Sequence, residues 1–135
     1  MSATLGSNPT ILVVDDEPAL LNLVRWILET AGYAVLPANN GRQALALVES
    51  QEYSIDLLLT DVNMPDISGL ELACRVSYIS PHLPVMFMTG SIQDSPGIEL
   101  LRQEGPFGDC AVMIKPFTST DLLHEVTGVF STTLH

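Results

Sequence analysis

Short apolar runs alternate with segments of helical spacing five times along the chain. The runs at residues 11–14, 33–38, 55–60, 85–89 and 111–114 have the length of strands, and most are apolar at nearly every position. Unbroken apolar runs are typical of strands that are buried on both faces of a sheet. Because helical segments separate the strands, the order predicts an α/β domain, a (βα)₅ unit with a parallel sheet and helices on both of its faces.

The helices are predicted from apolar residues that recur at intervals of three and four. In the first helix Trp26 falls off the apolar stripe, and Ala31-Gly32 marks the end. Gly69 opens the third helix, and Thr118 to Asp121 resembles a capping box at the start of the last. The predicted stripes are Leu20, Leu23, Val24, Ile27 and Leu28, then Ala44, Leu45 and Val48, then Leu70, Leu72, Ala73 and Val76, and finally Leu122, Leu123, Val126, Val129 and Phe130.

The stretch at residues 90–110 is the least regular part of the chain. It is rich in glycine and proline, and a short run near residues 98–103 has helical spacing, so the fourth helix is predicted to be short or displaced. We expect one domain at residues 10–131, because a chain of 135 residues is long enough for one core and shows no repeats. Residues 1–9 and 132–135 are predicted to be tails.

Composition, charge and sequence patterns argue against several classes of function. Acidic residues outnumber basic ones by 16 to 5, for a net charge of −11, which disfavours binding to nucleic acid or to anionic membranes. No apolar run approaches the roughly 18 residues of a membrane span, and the N-terminus has no signal-peptide pattern. Cys74 and Cys110 are too few and too far apart for a metal or redox motif. We therefore expect a cytoplasmic protein whose two thiols are reduced and partly buried.

Acidic and basic side chains stand where three of the predicted strands end. Asp15 and Asp16 follow the first strand, Asp61 follows the third, and Lys115, the one lysine of the sequence, follows the fifth. Because the carboxyl ends of parallel strands gather at one edge of a sheet, where ligands bind, these groups are expected to converge. Three carboxylates and an ammonium group there suggest a site for a divalent metal and a phosphoryl group.

A set of motifs at the strand ends carries a family resemblance. It comprises Asp15-Asp16, Asp61 with Asn63-Met64-Pro65, Gly69, Thr89-Gly90 and Lys115-Pro116-Phe117. From about residue 10 to residue 130 the chain resembles the receiver domain of two-component response regulators. The resemblance implies a flavodoxin-like fold with strand order 2-1-3-4-5. It also implies a stand-alone, chemotaxis-regulator-like switch whose phosphorylation alters binding to an output partner, and not an enzyme with a separate substrate.

The resemblance implies roles for the acidic residues and for the residue that follows the third strand. Asp61 would accept a phosphoryl group from the phosphohistidine of a sensor histidine kinase or of a histidine phosphotransfer protein, forming an acyl phosphate. Asp16 and Asp61 would hold Mg²⁺ directly, and Asp15 would hold it through water. The backbone carbonyl of Asn63 would be a further ligand.

The resemblance also implies which groups contact the phosphoryl oxygens. Lys115 would pair with one of them and the hydroxyl of Thr89 with another, while Gly90 leaves the site uncrowded. One position departs from the family, because Val112 stands three residues before Lys115, where receivers usually carry an aromatic ring. The usual ring movement on phosphorylation is therefore not expected.

Two other functions remain open on the residues alone. A phosphatase or mutase that forms an aspartyl phosphate would carry a second aspartate two residues after its nucleophile, and Asn63 stands there after Asp61. If Asp15 were the nucleophile, that position would be Glu17, which is longer than an aspartate. A flavin-binding electron carrier would need a loop rich in serine, threonine and glycine after the first strand, where this chain is acidic. Glu17 and Asp66 are expected on loops without contact to a metal.

Overall fold

The computed structural model of the protein describes residues 8–90 and 111–133. The expectations for residues 91–110, among them the short helical run, and for most of the two tails lie outside the described residues. Within these ranges the chain forms five strands and four helices. They are β1 (Thr10–Val14), α1 (Pro18–Thr30), β2 (Ala34–Ala38), α2 (Gly41–Ser50), β3 (Leu57–Asp61), α3 (Gly69–Ile79), β4 (Val85–Thr89), β5 (Ala111–Ile114) and α4 (Ser119–Thr133).

The strands form one parallel sheet in the order β2-β1-β3-β4-β5. This order confirms the predicted flavodoxin-like arrangement. Neighbouring strands end in register, since Val14 pairs with Thr60 across β1 and β3. In the same way Thr89 pairs with Ile114 across β4 and β5. The carboxyl ends of these four strands therefore meet at one edge of the sheet.

Helices cover both faces of the sheet. α1 and α4 pack on one face, and α2 and α3 pack on the other. Within β1, Ile11 and Val13 join one buried cluster whereas Leu12 and Val14 join the second, because successive side chains of a strand point to opposite faces. Burial of both faces explains why the strands are apolar without alternation. Among the described residues, no helix has the length and apolar character of a membrane span.

The predicted apolar stripe of α1 is wrong at one position. Leu23 is 51% exposed, whereas Leu21, which the predicted stripe omits, is 4% exposed. The helix carries more apolar residues than its buried face can hold, so spacing alone does not decide between them. Trp26 is 65% exposed, which confirms that it lies off the stripe.

Two further expectations are corrected by the structure. Cys74 is exposed and not partly buried, because α3 turns that position away from its buried face. The third strand covers Leu57–Asp61 and not residues 55–60. It reaches Asp61 because the ladder with β4 continues to the pair of Asp61 and Met88.

The start of α4 confirms the predicted capping box. The Asp121 backbone N–H donates to Thr118 Oγ1 at 3.0 Å, and the Thr118 N–H donates to Asp121 Oδ2 at 3.2 Å. Both N–H groups at the helix start are satisfied in this way, and the helix begins a few residues after Lys115.

Candidate functional site

Three carboxylates lie together at the carboxyl edge of the sheet. Asp15 follows β1 and Asp61 ends β3, and they are buried, at 1% and 6% exposed. Asp16 is exposed to solvent. One carboxylate oxygen from each of the three residues lies within 4.8 Å of the others. The cluster therefore offers three oxygen ligands at a point that solvent reaches from the side of Asp16.

The ammonium group of Lys115 contacts both buried carboxylates. Its Nζ is 3.1 Å from Asp61 Oδ2 and 3.2 Å from Asp15 Oδ2. The backbone brings it there, because β5 ends one residue earlier and the Lys115 N–H donates to the Thr89 carbonyl at 2.8 Å. The side chain of Lys115 is only 20% exposed, a setting in which charge-assisted hydrogen bonds are strong.

Both carboxylate oxygens of Asp15 have partners. Oδ1 accepts a hydrogen bond from the Glu17 N–H at 2.9 Å, and Oδ2 faces Lys115. A buried carboxylate needs such partners, because desolvation of an unpaired charge is costly. Glu17 takes part through its backbone, and its side chain makes no capping hydrogen bond at the start of α1.

The end of β3 is held by the residues that follow it. Asp61 Oδ1 accepts a hydrogen bond from the Asn63 N–H at 3.2 Å, and the Gly69 N–H donates to the Val62 carbonyl at 2.8 Å. A Cβ atom at Gly69 would collide with the Asp61 carbonyl oxygen, so glycine lets the start of α3 approach the strand this closely. The sequence marks Gly69 as a helix start, but it does not reveal this contact.

Burial and neighbouring charges shift the proton affinities of the ion pair. Burial raises the pKa of Asp61 above its ordinary value of 3.8, Lys115 offsets this only in part, and the Asp15 charge adds to the rise. Burial acts to lower the pKa of Lys115, but the carboxylates of Asp61 and Asp15 outweigh it and raise that pKa above 10.5. With Nζ beside both oxygens and its pKa raised, Lys115 is a charged ammonium group at neutral pH.

The charge and chemistry of the cluster fit a hard divalent cation. Three carboxylates and one ammonium group leave an excess of two negative charges. The donor atoms of the cluster are oxygens, which Mg²⁺ prefers, whereas zinc sites generally include His or Cys. Mg²⁺ keeps several waters, and the exposure of Asp16 leaves room for them. The residues present therefore suit a metal ion.

Thr89 and Asn63 lie at the same edge as the carboxylates. Thr89 is fully buried at the end of β4, and Asn63 is exposed in the loop after β3. Gly90 is exposed, and an added Cβ would meet nothing within 4 Å among the described residues. Val112 lies opposite Phe87 in the sheet and packs against the buried cluster that contains it.

Asp66 lies outside the carboxylate cluster, as expected. Its carboxylate accepts hydrogen bonds from the backbone N–H groups of Arg42 at 2.9 Å and Gly41 at 3.2 Å, at the start of α2. The sequence does not predict this contact. The N–H groups of a helix start need an acceptor, but nothing local shows from which part of the chain it comes.

An apolar groove of about 480 Å³ borders the site on the side of α1. Lys115 lines the groove and also contacts the carboxylates, so the groove and the site are continuous. The spacing of apolar residues does not predict it, because the groove depends on Leu23 facing solvent, whereas that spacing places Leu23 on the buried face. Its apolar lining residues are Leu20, Leu23, Trp26, Ile27, Pro116 and Phe117.

Comparison with known proteins relates the chain to one family. A family model described as the response regulator receiver domain matches residues 11–127. The response regulator receiver protein CpdR of Brucella abortus is 36% identical over 118 residues, which cover 86% of this chain and 92% of that protein. The CAI-1 autoinducer sensor kinase/phosphatase CqsS of Vibrio cholerae is 38% identical over 120 residues, which cover 86% of this chain but 16% of that protein. A crystal structure of a receiver domain protein from Clostridium thermocellum superposes with a TM-score of 0.82 at 31% identity, covering 93% of this chain and 96% of that one.

Proposed function

The chain belongs to the family of response regulator receiver domains, and from that premise we propose that it is the phosphoacceptor switch of a two-component signalling system. Asp61 takes a phosphoryl group from the phosphohistidine of a sensor histidine kinase or of a histidine phosphotransfer protein. The modification changes binding to an output partner, and the chain promotes only its own phosphorylation and dephosphorylation. One observation carries the proposal: a buried strand-end carboxylate lies 3.1 Å from an ammonium group and beside two further carboxylates.

Asp61 has the setting of a nucleophile for phosphoryl transfer. A carboxylate oxygen of Asp61 bonds to phosphorus while the bond from phosphorus to the donor's histidine nitrogen breaks, and that nitrogen keeps the electron pair. The product is an acyl phosphate, which is reactive enough for onward transfer or hydrolysis. Such a transfer needs positioning and charge neutralisation more than covalent help. A cluster of carboxylates with one fixed ammonium group meets that need.

We assign the metal ligands to four residues. Asp16 and Asp61 would hold Mg²⁺ directly, Asp15 would hold it through water, and Asn63 would hold it through its backbone carbonyl. The excess of two negative charges in the cluster and the exposure of Asp16 support this assignment. When bound, Mg²⁺ supplies positive charge that offsets the charge of the phosphoryl oxygens.

Lys115 and Thr89 bind the phosphoryl group itself. The Nζ of Lys115 lies 3.1 Å from Asp61 Oδ2, so a phosphoryl oxygen on Asp61 can become its partner without a change in the backbone. Thr89 ends β4, and its carbonyl accepts the Lys115 N–H, which supports a role for the Thr89 hydroxyl on a second phosphoryl oxygen. Both contacts favour the product because its oxygens carry more charge than the free carboxylate.

The phosphodonor has to bring its histidine to Asp61, so it has to cover the surface beside the site. We place this partner on the apolar groove, which is continuous with Lys115 and exposes Leu23 and Trp26. An exposed apolar patch with an aromatic anchor is typical of an interaction surface. The proposal includes residues 10–131 as the receiver unit and a cytoplasmic location, where the donor kinase domain would meet it.

The two alternative functions have less support. Asn63 stands two residues after Asp61 and cannot act as a general acid, and membership of the receiver family favours a switch. The loop after β1 presents Asp15 and Asp16, which would repel the phosphate of a flavin. Turnover of a phosphomonoester, or visible absorption bands in the purified protein, would revive one of these alternatives.

Incubation with acetyl phosphate and Mg²⁺, followed by intact-mass spectrometry, tests the proposal. The wild-type chain should gain one phosphoryl group, and Asp61→Ala should gain none. Asp56→Ala is the matched control, because Asp56 is an exposed carboxylate just before the amino end of β3, and it should be labelled like the wild type. A wild-type chain that is never labelled would contradict the proposal, as would label that persists in Asp61→Ala.

A further inference from the structure

The loop at residues 62–68 connects β3 to α3 and carries Asn63. At its start the Val62 N–H donates to the Met88 carbonyl at 2.9 Å. Near its end Ile67 is buried, at 9% exposed. Between these two anchors the loop is mostly exposed. The Asn63 N–H is held by Asp61 Oδ1 at 3.2 Å. The carbonyl on the other side of that residue leads into the exposed middle of the loop, so its orientation depends also on what holds that part.

Asp66 holds the middle of the loop against α2. Its carboxylate accepts hydrogen bonds from the backbone N–H groups of Arg42 at 2.9 Å and Gly41 at 3.2 Å. These N–H groups have no partner within the helix, and the start of a helix favours negative charge. Desolvation acts to raise the pKa of Asp66, but hydrogen bonds from the backbone N–H groups of Arg42, Ile67 and Gly41 hold it below its ordinary value. The carboxylate is ionised at neutral pH, and both hydrogen bonds are charge-assisted.

A second contact joins the loop to the same helix. Ile67 packs so closely over Gly41 that a Cβ atom at Gly41 would collide with its side chain. The helix start is closed further by Asn40, whose side chain accepts the Gln43 N–H at 2.7 Å. α2 is fixed to the sheet through its buried apolar face. The loop is therefore bonded to a rigid surface.

From these contacts we propose that Asp66 is a positioning residue for the metal site, because by tying the loop to α2 it sets the orientation of the Asn63 carbonyl. The two residues between them transmit the constraint, since Pro65 has a fixed φ and restricts Met64 before it. Asp66 stays outside the carboxylate cluster, and the proposed role does not require it to be a ligand. This role rests on the proposed function, in which the Asn63 carbonyl binds Mg²⁺.

Three variants separate positioning from a merely structural role. Asp66→Ala deletes both hydrogen bonds, Asp66→Asn keeps one acceptor oxygen with the same loss of charge, and Asn40→Ala removes a different cap from the same helix start. Calorimetric titration should show Mg²⁺ affinity about tenfold weaker in Asp66→Ala, the lower end of what loss of a ligand-orienting group costs. Asp66→Asn should be intermediate. Asn40→Ala should lower the melting temperature and leave Mg²⁺ affinity unchanged.

The amide resonance of Asn63 in the metal-free protein is the second readout. It should shift in Asp66→Ala and keep its wild-type position in Asn40→Ala. The positioning role would be overturned if Asp66→Ala bound Mg²⁺ with wild-type affinity, or if Asn40→Ala lost as much Mg²⁺ affinity as Asp66→Ala. Neither result would contradict the proposed function. If Asp66→Ala does not fold, Asp66→Asn decides, since wild-type affinity with an unchanged Asn63 resonance would overturn the role. A wild-type chain that binds no Mg²⁺ would overturn the metal site and this role with it.

Discussion

Removal of the Lys115 charge should weaken the metal-free fold and strengthen Mg²⁺ binding. Lys115→Met keeps the apolar stem and deletes the ammonium group. That group lies 3.1 Å from Asp61 Oδ2 and 3.2 Å from Asp15 Oδ2, and the two carboxyl side chains are 9% and 1% exposed. The variant therefore leaves two buried carboxyl groups facing each other without a cation.

The magnitude follows from burial and distance. Loss of one partner from a buried ion pair costs about 3–5 kcal/mol of unfolding free energy. The 20% exposure of the Lys115 side chain and the raised pKa of Asp61, which eases its protonation, reduce this to about 2–3 kcal/mol. The ammonium group also no longer repels Mg²⁺ from the same oxygens. A unit charge about 4 Å away contributes about 1–4 kcal/mol between water and a partly dry site, so Mg²⁺ affinity should rise roughly fivefold or more.

Urea unfolding in chelator and calorimetric titration with Mg²⁺ measure the two effects. Arg25→Met is the matched control, because Arg25 is a half-exposed cation of α1 that is paired with Glu29 on the surface. Surface pairs of this kind contribute little, so neither quantity should change by more than about 0.5 kcal/mol. A Lys115→Met chain that is as stable as the wild type, or that binds Mg²⁺ more weakly, would refute the reasoning.

Three further variants probe the same edge of the sheet, and a fourth, in α4, is a control. Asp16→Asn relieves repulsion between carboxylates in the metal-free cluster, so the unfolding free energy in chelator should rise by up to about 1 kcal/mol at this exposed position. Calorimetric titration should show that Mg²⁺ binding is lost. If the variant is less stable than the wild type, Asp16 is a structural cap. Gly69→Ala should lower unfolding free energy by about 1–3 kcal/mol through its collision with the Asp61 carbonyl. Gly128→Ala in α4 is the control, because an added Cβ there meets nothing within 4 Å, and it should raise the unfolding free energy by up to about 1 kcal/mol. Equal changes for the two variants in urea unfolding would count against the contact at Gly69. Asp61→Asn removes a carboxyl group whose folded pKa lies above its unfolded one, so ionisation of Asp61 costs stability as pH rises through the folded value. The variant should therefore have a higher unfolding free energy than the wild type in chelator at neutral pH. The difference should shrink as pH falls through the raised pKa of Asp61 towards 3.8. A difference that does not change with pH would contradict burial as the cause of the raised pKa.

The convergence of Asp15, Asp61 and Lys115 could be predicted from the sequence because it depends on topology. An apolar run that stops at a charged residue marks a strand end, and alternation with helices predicts that the strands are parallel. Parallel strands bring those ends to one edge whatever the details of packing. Capping of α4 by Thr118 and Asp121 could be predicted for a similar reason, because both partners lie within one turn of the chain.

The features that could not be predicted depend on residues that are distant in the chain. The contact of Gly69 with the carbonyl of the preceding strand requires the angle at which α3 meets the sheet. Asp66 and Gly41 are 25 residues apart, and neither carries a local signal for the other. Exposure of Leu23 in place of Leu21 depends on how α1 is rotated against the sheet, and that rotation also exposes the groove.

Identification of the modified residue tests most directly whether Asp61 is the phosphoacceptor. Borohydride reduces an acyl phosphate to an alcohol and leaves free carboxylates unchanged, so a phosphorylated aspartate becomes homoserine. The chain is labelled with acetyl phosphate and Mg²⁺, reduced, digested and sequenced by tandem mass spectrometry. We predict homoserine at position 61 and aspartate at positions 15 and 16. Homoserine at position 15 or 16 with an unmodified Asp61 would contradict the central claim.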